Sequence, residues 1–383
     1  MEVKPMVGIV SKPGTQEKLE ILSQDAQYDL ACACESSRQG RKRGNSGNWV
    51  YPVTLPNGGK SVLFKTLMSN VCSNDCKYCP LRRQQDVRRC SLGPEETADV
   101  FLDHYRRRQV FGLFLSSGVL GTADATMDRL NSTAAILRNK YKFRGYIHLK
   151  VIPGSSDAAI EQAVSLASAV SLNIETPGEK NMTKLSSKKN YLRDIISPIK
   201  LISRLTAKGS RFERVKQTTQ FIVGPAGETD AEIVKYVYAL YNRLRMHRVY
   251  FSAYQKGLGD ESLPAERVAA AKASEVFVRE HRLYQVDFLV RKYRFGESDL
   301  VFDQQGRLSL NIDPKQAWAE AHPEYFPLNA NSAGYYELLR VPGLGPVTVK
   351  NLMQRRKQSR LRSIDDVGKA NARLAKAGQY LAY

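Results

Sequence analysis

Cys72, Cys76 and Cys79 stand within eight residues of one another in NVCSNDCKYCPLRR, residues 70 to 83, in a chain that has only six cysteines. Three thiols at C-x3-C-x2-C in one loop can converge on a single metal centre, and soft sulfur donors favour zinc, copper(I) or an iron–sulfur cluster. A structural zinc ion wants four ligands, usually as two pairs. No second pair follows, and His104 lies in an arginine-rich helical stretch. A [4Fe–4S] cluster held by three cysteines keeps one iron open. Cys90, eleven residues after Cys79, is the possible fourth ligand, and with it the centre would be closed and serve structure or electron transfer. It is expected to stand apart, because Arg82, Arg83, Arg88 and Arg89 intervene and a helix begins just beyond it. Cys32 and Cys34, isolated in ACACESS, read as free thiols in a reducing compartment.

The elements that must position these thiols follow a regular rhythm. A strand at SVLFKTL leads into the cysteine loop, and PEETADVFLDHYRRRQ reads as a helix with Pro94 and acidic residues in its first turn. Short apolar runs then alternate with amphipathic helices: GLFLSSG, YIHLKVIP, AVSLNIET, TTQFIVG and RVYFSAY are separated by TMDRLNSTAAILRNKY, SDAAIEQAVSLAS, a helical stretch over 190–208 and DAEIVKYVYALYNRL. A long helix is expected to begin near Pro264. Strands separated by helices of this length predict right-handed βα units and a parallel sheet. Six such units fall short of the eight of a closed barrel, so a partial barrel and an open doubly wound sheet both fit.

The sequence divides into a leader over 1–60, the βα region over 61–296, a connector over 297–334 with one short helix, and a C-terminal module over 335–383. The leader holds a possible short helix at QEKLEILSQDAQYDL and a mobile basic loop, ESSRQGRKRGNSGN. Among 383 residues, 58 Lys and Arg oppose 38 Asp and Glu, a formal charge of +20 that favours a polyanionic partner, with nucleic acid foremost. Ten Lys and Arg against three acids in 335–383 concentrate the excess at that end. With no apolar run of membrane-spanning length and no signal-peptide pattern at the N-terminus, a cytoplasmic protein without a membrane partner is expected.

The three cysteines, with Tyr78 just before the last, resemble the signature of the radical S-adenosylmethionine superfamily. The resemblance implies a partial (β/α)6 TIM-type barrel and a [4Fe–4S] cluster whose open iron is chelated by S-adenosylmethionine. Reductive cleavage would then give a 5′-deoxyadenosyl radical, with electrons from a donor such as flavodoxin or ferredoxin. LSSGV at 115–119 resembles the turn that receives the amino group of S-adenosylmethionine, with Ser116, Ser117 and Gly118 in place of the usual Gly-Gly-Glu. Asn173 and Glu175, at the end of the fourth strand, match positions of ribose or amino-group contacts. FIVGPAGET at 221–229 resembles the segment near the adenine and supplies Gly224 and Glu228. Tyr254, Tyr284 and Tyr293 are candidates to relay a hydrogen atom or to stack on a base, Tyr254 being the catalytic candidate. Arg82 and Arg83 are candidates to meet phosphate.

LLRVPGLGPVTVKNL, residues 338 to 352, resembles a helix-hairpin-helix motif, an all-α module that binds duplex DNA through its backbone. Gly343 and Gly345 would permit positive φ and let N–H groups point at a phosphate. Lys350, Arg355, Arg356 and Lys357 would bind its neighbours, and 361–381 could form a second, degenerate hairpin. The whole chain resembles a family of radical S-adenosylmethionine proteins of DNA modification or repair, on YDLACACESS, the cysteine loop, TTQFIVGPAGETD and HPEYFPLNANSAGYYELLRVPGLG. The resemblance implies hydrogen abstraction from a nucleotide, but no assigned reaction. A tRNA-modifying radical enzyme and a DNA-binding protein with a structural cluster are the alternatives.

Overall fold

A computed structural model describes residues 13–26, 49–54, 60–269, 275–369 and 371–383. Cys32, Cys34 and the basic loop of the leader lie outside these residues, so the expectations for them stay there. The first helix, α1 (Thr15–Asp25), lies against the barrel with Leu19 and Leu22 buried.

Six parallel strands stand side by side in chain order: β2 (Lys60–Leu67), β3 (Gly112–Ser116), β4 (Tyr146–Lys150), β5 (Ala169–Ser171), β6 (Lys216–Val223) and β7 (Arg248–Ala253). A further strand, β1 (Val50–Thr54), pairs antiparallel with β2. The connecting helices are α2 (Pro94–Arg106), α3 (Ala123–Ala135), α4 (Asp157–Leu166), α5 (Glu179–Leu185), α6 (Ser197–Leu205) and α7 (Asp230–Asn242), with α8 (Glu275–Tyr293) after β7. Strand order never reverses, so right-handed crossovers put every helix on one face. Leu113, Leu115, Ile147, Leu149, Phe221 and Phe251 point into that helical layer and are fully buried.

The opposite face is concave. Leu67, Ser116, Lys150, Gln220 and Ser252, from five different strands, all line one cavity of about 210 Å³. A flat sheet would spread six strands over about 24 Å, so the sheet must curl. Of the two architectures compatible with the strand count, the chain adopts the curled half-barrel.

Local chemistry sets the helix starts. Pro94 opens α2 and Glu96 accepts from the Gly93 N–H. Thr122, Ser156 and Thr229 cap α3, α4 and α7 with their hydroxyls. The long helix expected from Pro264 is instead divided: Pro264–Arg267 is a single 3₁₀ turn that ends at extended Val268, and α8 starts at Glu275. The short strand β1 and helix α5 were not anticipated. Among the described residues no helix is long and apolar enough to cross a membrane.

Beyond α8 come α9 (Pro314–Ala321), β8 (Leu328–Asn329), α10 (Tyr335–Arg340), α11 (Pro346–Arg355), α12 (Ala372–Gly378) and β9 (Leu381–Ala382). Leu338, Leu339, Val341, Leu344, Val349 and Leu352 are buried where the sequence placed them between helices. Strand β9 returns to pair with β8, which ties the connector to the module. Arg340 lies over Phe295 and Trp318, 4.6 and 4.5 Å from the ring centres, and ion-pairs with Asp299 at 2.9 Å. The connector is therefore a packed bridge between barrel and module.

Candidate active site

The cysteine loop leaves β2 at the C-terminal edge of the sheet and is shaped by two arginines. Arg89 donates to the carbonyls of Asn70, Leu81, Arg82 and Gln85. Arg82, only 6% exposed, donates to Cys79 O, Leu258 O and Gly259 O at 3.1 to 3.2 Å. A guanidinium offers five donors in a rigid fork, enough to bind a loop that has no regular ladder of its own. Arg82 is thus neither a solvated charge nor placed to meet phosphate, because its fork is spent on the chain, whereas Arg83 is exposed.

This loop turns Cys72, Cys76 and Cys79 into one cavity, together with Tyr78, Ser116, Ser117, Gly118, Asn173, Glu175, Lys189, Gln220 and Tyr254. Cys90 is not part of its wall. That thiol is buried against α1, 3.9 Å from Lys18 O, while its N–H donates to Asn70 Oδ1.

The turn after β3 is stitched to the cysteine loop. Gly118 N donates to Ser69 O at 2.7 Å, Ser73 N to Val119 O at 2.9 Å, and Val119 N to Cys72 Sγ at 3.4 Å. A Cβ on Gly118 would lie 2.6 Å from Val71 O, so only glycine allows this approach. The small-residue turn read from LSSGV is therefore needed for packing whatever else it binds.

Glu175 takes a left-handed backbone, φ 64°, to re-enter the sheet beside Phe221. Such a conformation costs a non-glycine residue about 1–3 kcal/mol. It places the buried carboxylate 3.8 Å from Lys189 Nζ, and both side chains are 7% exposed. Lys189 also donates to Tyr78 Oη at 3.2 Å. Burial works against its ammonium, but the negative fields of Cys76, once that sulfur is a thiolate, and of Glu175 more than restore it. Burial pushes the Cys79 thiol up to about 12 and raises Cys76 as well. Without an electron-poor partner these sulfurs stay protonated; a bound metal deprotonates them.

Lys189 was missed in the sequence, where SSKKN offers no pattern. What positions it is Asp75, whose carboxylate accepts from Ser186 Oγ at 2.5 Å and from Ser187 N at 2.9 Å. Burial alone would raise the Asp75 carboxyl, yet the bonds from Ser186 and Ser187 outweigh it and hold it down at about 2. Lys188 Nζ donates to Ser73 O at 2.6 Å, a second tie between the loops.

Other expected site residues lie elsewhere. Glu228 is buried and its carboxylate accepts from the N–H groups of Gly224 and Ala226, closing its own turn. Gly224 lines a larger neighbouring groove of about 960 Å³ that meets the cysteine cavity at Tyr254. The Tyr254 hydroxyl donates to Glu266 and anchors the loop after β7. Tyr284 bonds the Phe251 backbone, and the Tyr293 ring faces Lys315; both serve packing.

The donor set fits an iron–sulfur cluster. A zinc ion with sulfurs at about 2.3 Å draws them within about 4 Å of each other, whereas a cubane takes one cysteine per iron and accepts a wider triangle. Among the described residues no three His, Cys, Asp or Glu side chains are grouped to hold a single metal ion, yet the three thiols share one cavity. Asn173 Oδ1 and Gln220 Oε1 are buried in the same wall without a partner, which marks a place for a polar ligand.

In the C-terminal module, Gly343 has φ 88°, but Gly345 has φ −119° and caps α11 in extended backbone. The expected positive φ therefore holds for one glycine only. A Cβ on Gly343 would lie 2.1 Å from Arg373 O, so it is the close approach of α12 that requires glycine there. Lys350 and Lys357 are exposed. Arg356 is turned inward onto Ala330 O and Ala333 O, at 3.1 and 2.7 Å, and Arg355 donates to Asp366 O.

No family model and no curated protein matches the chain. Among solved structures, the FeFe-hydrogenase maturase HydG from Carboxydothermus hydrogenoformans aligns with TM-score 0.45 at 16% identity, over 58% of this chain and 50% of that one. A second HydG structure gives TM-score 0.43 at 12%, over 57% and 48%. Methylornithine synthase (PylB) gives 0.44 at 13%, over 58% and 61%. The chain thus spans about half the length of the HydG structures. Likeness at this level carries no argument about chemistry.

Proposed function

We propose that the protein is a radical S-adenosylmethionine enzyme of the DNA modification or repair family whose resemblance the sequence carries. The observation behind this reading is the cavity itself: three thiols from one eight-residue loop share it with a buried Lys–Glu pair and two unpartnered amide oxygens. Cys72, Cys76 and Cys79 would hold a [4Fe–4S] cluster. When bound, cluster and S-adenosylmethionine together supply one-electron cleavage and a hydrogen-abstracting radical.

The chain's own residues prepare the place. Ser116, Ser117, Asn173 and Glu175 offer polar contacts to an amino acid or ribose moiety. Lys189 brings a positive charge to the cavity wall and offsets the charge of a thiolate-ligated centre. Arg82, by fastening the loop after β7 to the cysteine loop, keeps water from one side. Glu228 and Gly224 support this wall from outside the cavity. Substrate would reach the open C-terminal edge of the half-barrel, where strand ends of a parallel β/α fold gather reactive groups. The exposed Lys350 and Lys357 of the C-terminal module, read as a helix-hairpin-helix, support nucleic acid as the substrate class, duplex DNA foremost.

Anaerobic reconstitution followed by measurement of 5′-deoxyadenosine, with and without duplex DNA or tRNA, tests this reading. Cleavage stimulated by duplex DNA is expected. No cleavage under reducing conditions rejects the enzyme in favour of a DNA-binding protein with a structural cluster, and stimulation by tRNA alone moves the substrate to RNA.

A further inference from the structure

The cysteines occupy one edge of the sheet; the other edge carries most of the charge. Four connections, counted with the helix and strand ends that flank them, enter β3, β4, β6 and β7 at their N-terminal ends: residues 106–111, 138–145, 206–216 and 243–248. Together they hold fourteen Lys and Arg and a single acid, Glu213. Twelve of these cations are exposed. The sequence had suggested that the basic excess concentrates in the C-terminal module, with ten cations and three acids. The larger excess is dispersed along the chain and assembled only by the parallel topology.

Helix dipoles explain part of this, since each loop follows a helix and cations are favoured in a last turn. That effect fades within one turn, and Lys142, Arg144, Arg211 and Arg214 lie beyond it. A second observation points the same way. Arg108, Lys142 and Arg245, in three separate loops, adopt left-handed backbone with φ of 59°, 53° and 50°. Glycine or asparagine fits there with less strain; the chain keeps a cation at each.

We propose that this edge is a nucleic-acid-binding surface that tracks a sugar–phosphate backbone, separate from the cysteine cavity and from the C-terminal module. Followed along the curl of the sheet from β3 to β7 it runs for about 19 Å, matching a run of phosphates better than one anion. Ten of the fourteen cations are Arg, whose planar fork suits phosphate. Partly exposed aromatics interleave with them: Tyr105, Phe111, Tyr141 and Phe212, with Lys140 over Tyr141 and Arg211 over Phe212. Cations tracking a backbone beside stacking rings characterise single-strand binding surfaces. The strands separate this edge from the cavity by about 17–26 Å, so it holds a segment of nucleic acid other than the one at the cavity. The proposal stands whether or not the radical chemistry does.

The test uses the full chain and fluorescein-labelled DNA, single-stranded and duplex, long enough to span the edge, titrated over a range of salt. The variant Arg144→Gln/Lys208→Gln/Arg211→Gln/Arg214→Gln removes four exposed charges. Its affinity should fall about tenfold or more, and its log–log salt slope should shrink by about three, since each lost phosphate contact removes about 0.7–0.9. An unchanged thermal midpoint shows that the fold is intact. Unchanged affinity and slope overturn the proposal. So does complete loss of salt-dependent binding in Lys350→Gln/Lys357→Gln, which would place all of it in the module. Displacement of DNA by polyglutamate at equal charge also overturns it, in favour of an acidic protein partner. Cleavage of S-adenosylmethionine without DNA should match wild type in the four-charge variant, so a failure of the radical reading is visible separately.

Discussion

Lys189 and Arg211 are both cations at an end of the same sheet, yet the fold treats them in opposite ways. Lys189 is inserted between Glu175, Tyr78 and Cys76, with its loop held by Asp75 and Lys188. Arg211 faces water and, among the described residues, engages nothing closer than the face of the Phe212 ring, 5.2 Å from its centre. At the C-terminal edge charged groups are buried and paired, as chemistry on a single reacting atom requires. At the N-terminal edge most are displayed to water, as contact with a repeating polyanion requires. The C-terminal module combines both treatments, turning Arg356 inward and Lys350 and Lys357 outward, while Lys315 of the connector points into it.

The sharpest way to break this contrast is at the thiols. Cys72→Ser, Cys76→Ser and Cys79→Ser should each abolish cluster assembly, read as iron and sulfide content after anaerobic reconstitution, and with it all 5′-deoxyadenosine. Cys90→Ser should retain both. Loss of the cluster in Cys90→Ser would mean that the buried thiol against α1 is a fourth ligand and the three-cysteine reading is wrong.

Next in size is a matched pair of cation removals. Lys189→Met leaves Glu175 buried without its counter-charge, a change that costs about 3–5 kcal/mol. Arg211→Met at the opposite edge should change stability by less than about 0.5 kcal/mol. Urea midpoints of the two variants measure the difference. Equal midpoints would show that the Lys189–Glu175 pair is as well solvated as the exposed edge, and would remove the argument that the cavity is pre-built around charge.

Glycine gives a third comparison, inside the module. Gly343→Ala meets the Arg373 carbonyl and a left-handed backbone, at a cost of about 2–4 kcal/mol. Gly345→Ala sits in extended backbone with only Tyr293 Oη near, 3.7 Å away, and should cost less than about 1 kcal/mol. Thermal unfolding of both variants separates a packing glycine from a capping one. If the two cost the same, the approach of α12 does not decide the residue at 343.

These contrasts also show what the sequence could tell. The six βα units were legible because strand-length apolar runs and amphipathic helices have different periods, and because caps such as Pro94 and Thr229 mark boundaries locally. The cysteine spacing was legible because three ligands of one centre lie in one loop. Whether the sheet was one-sided was not, since six βα units serve either architecture until strand order is known. Lys189 was hidden because its partners, Glu175, Tyr78 and Asp75, are distant in sequence and nothing about SSKKN marks one lysine as buried. Arg82 and Arg89 looked like a charge run because a guanidinium that satisfies carbonyls has the same letter as one that faces water. The basic edge was invisible for a related reason: its cations come from four loops, and only the parallel register aligns them.

The smallest effect expected is a pH dependence where the connector meets the module, with Lys315 of α9 as the buried counterpart of Lys350. Its ammonium donates to Leu339 O and Leu344 O, at 3.1 and 2.5 Å, and lies 5.0 Å from the Tyr293 ring centre. Burial pushes this lysine from its ordinary 10.5 down to about 7, against a weaker opposing pull from Asp313. Below pH 7 both the folded and the unfolded chain are protonated there, and the burial penalty applies in full. Between about 7 and 10.5 the unfolded chain binds more protons, so stability rises with pH, by at most about 1.4 kcal/mol per unit. Denaturant midpoints of wild type measured from pH 6 to about pH 9 should therefore climb from neutral pH upward, and Lys315→Met should lose that component of the slope. A wild-type slope that Lys315→Met leaves unchanged would mean that the two carbonyls and the tyrosine face hold the ammonium as well as water does. Lys315 would then resemble the exposed cations in energy although not in position, and burial alone would no longer distinguish the two treatments of charge in this fold.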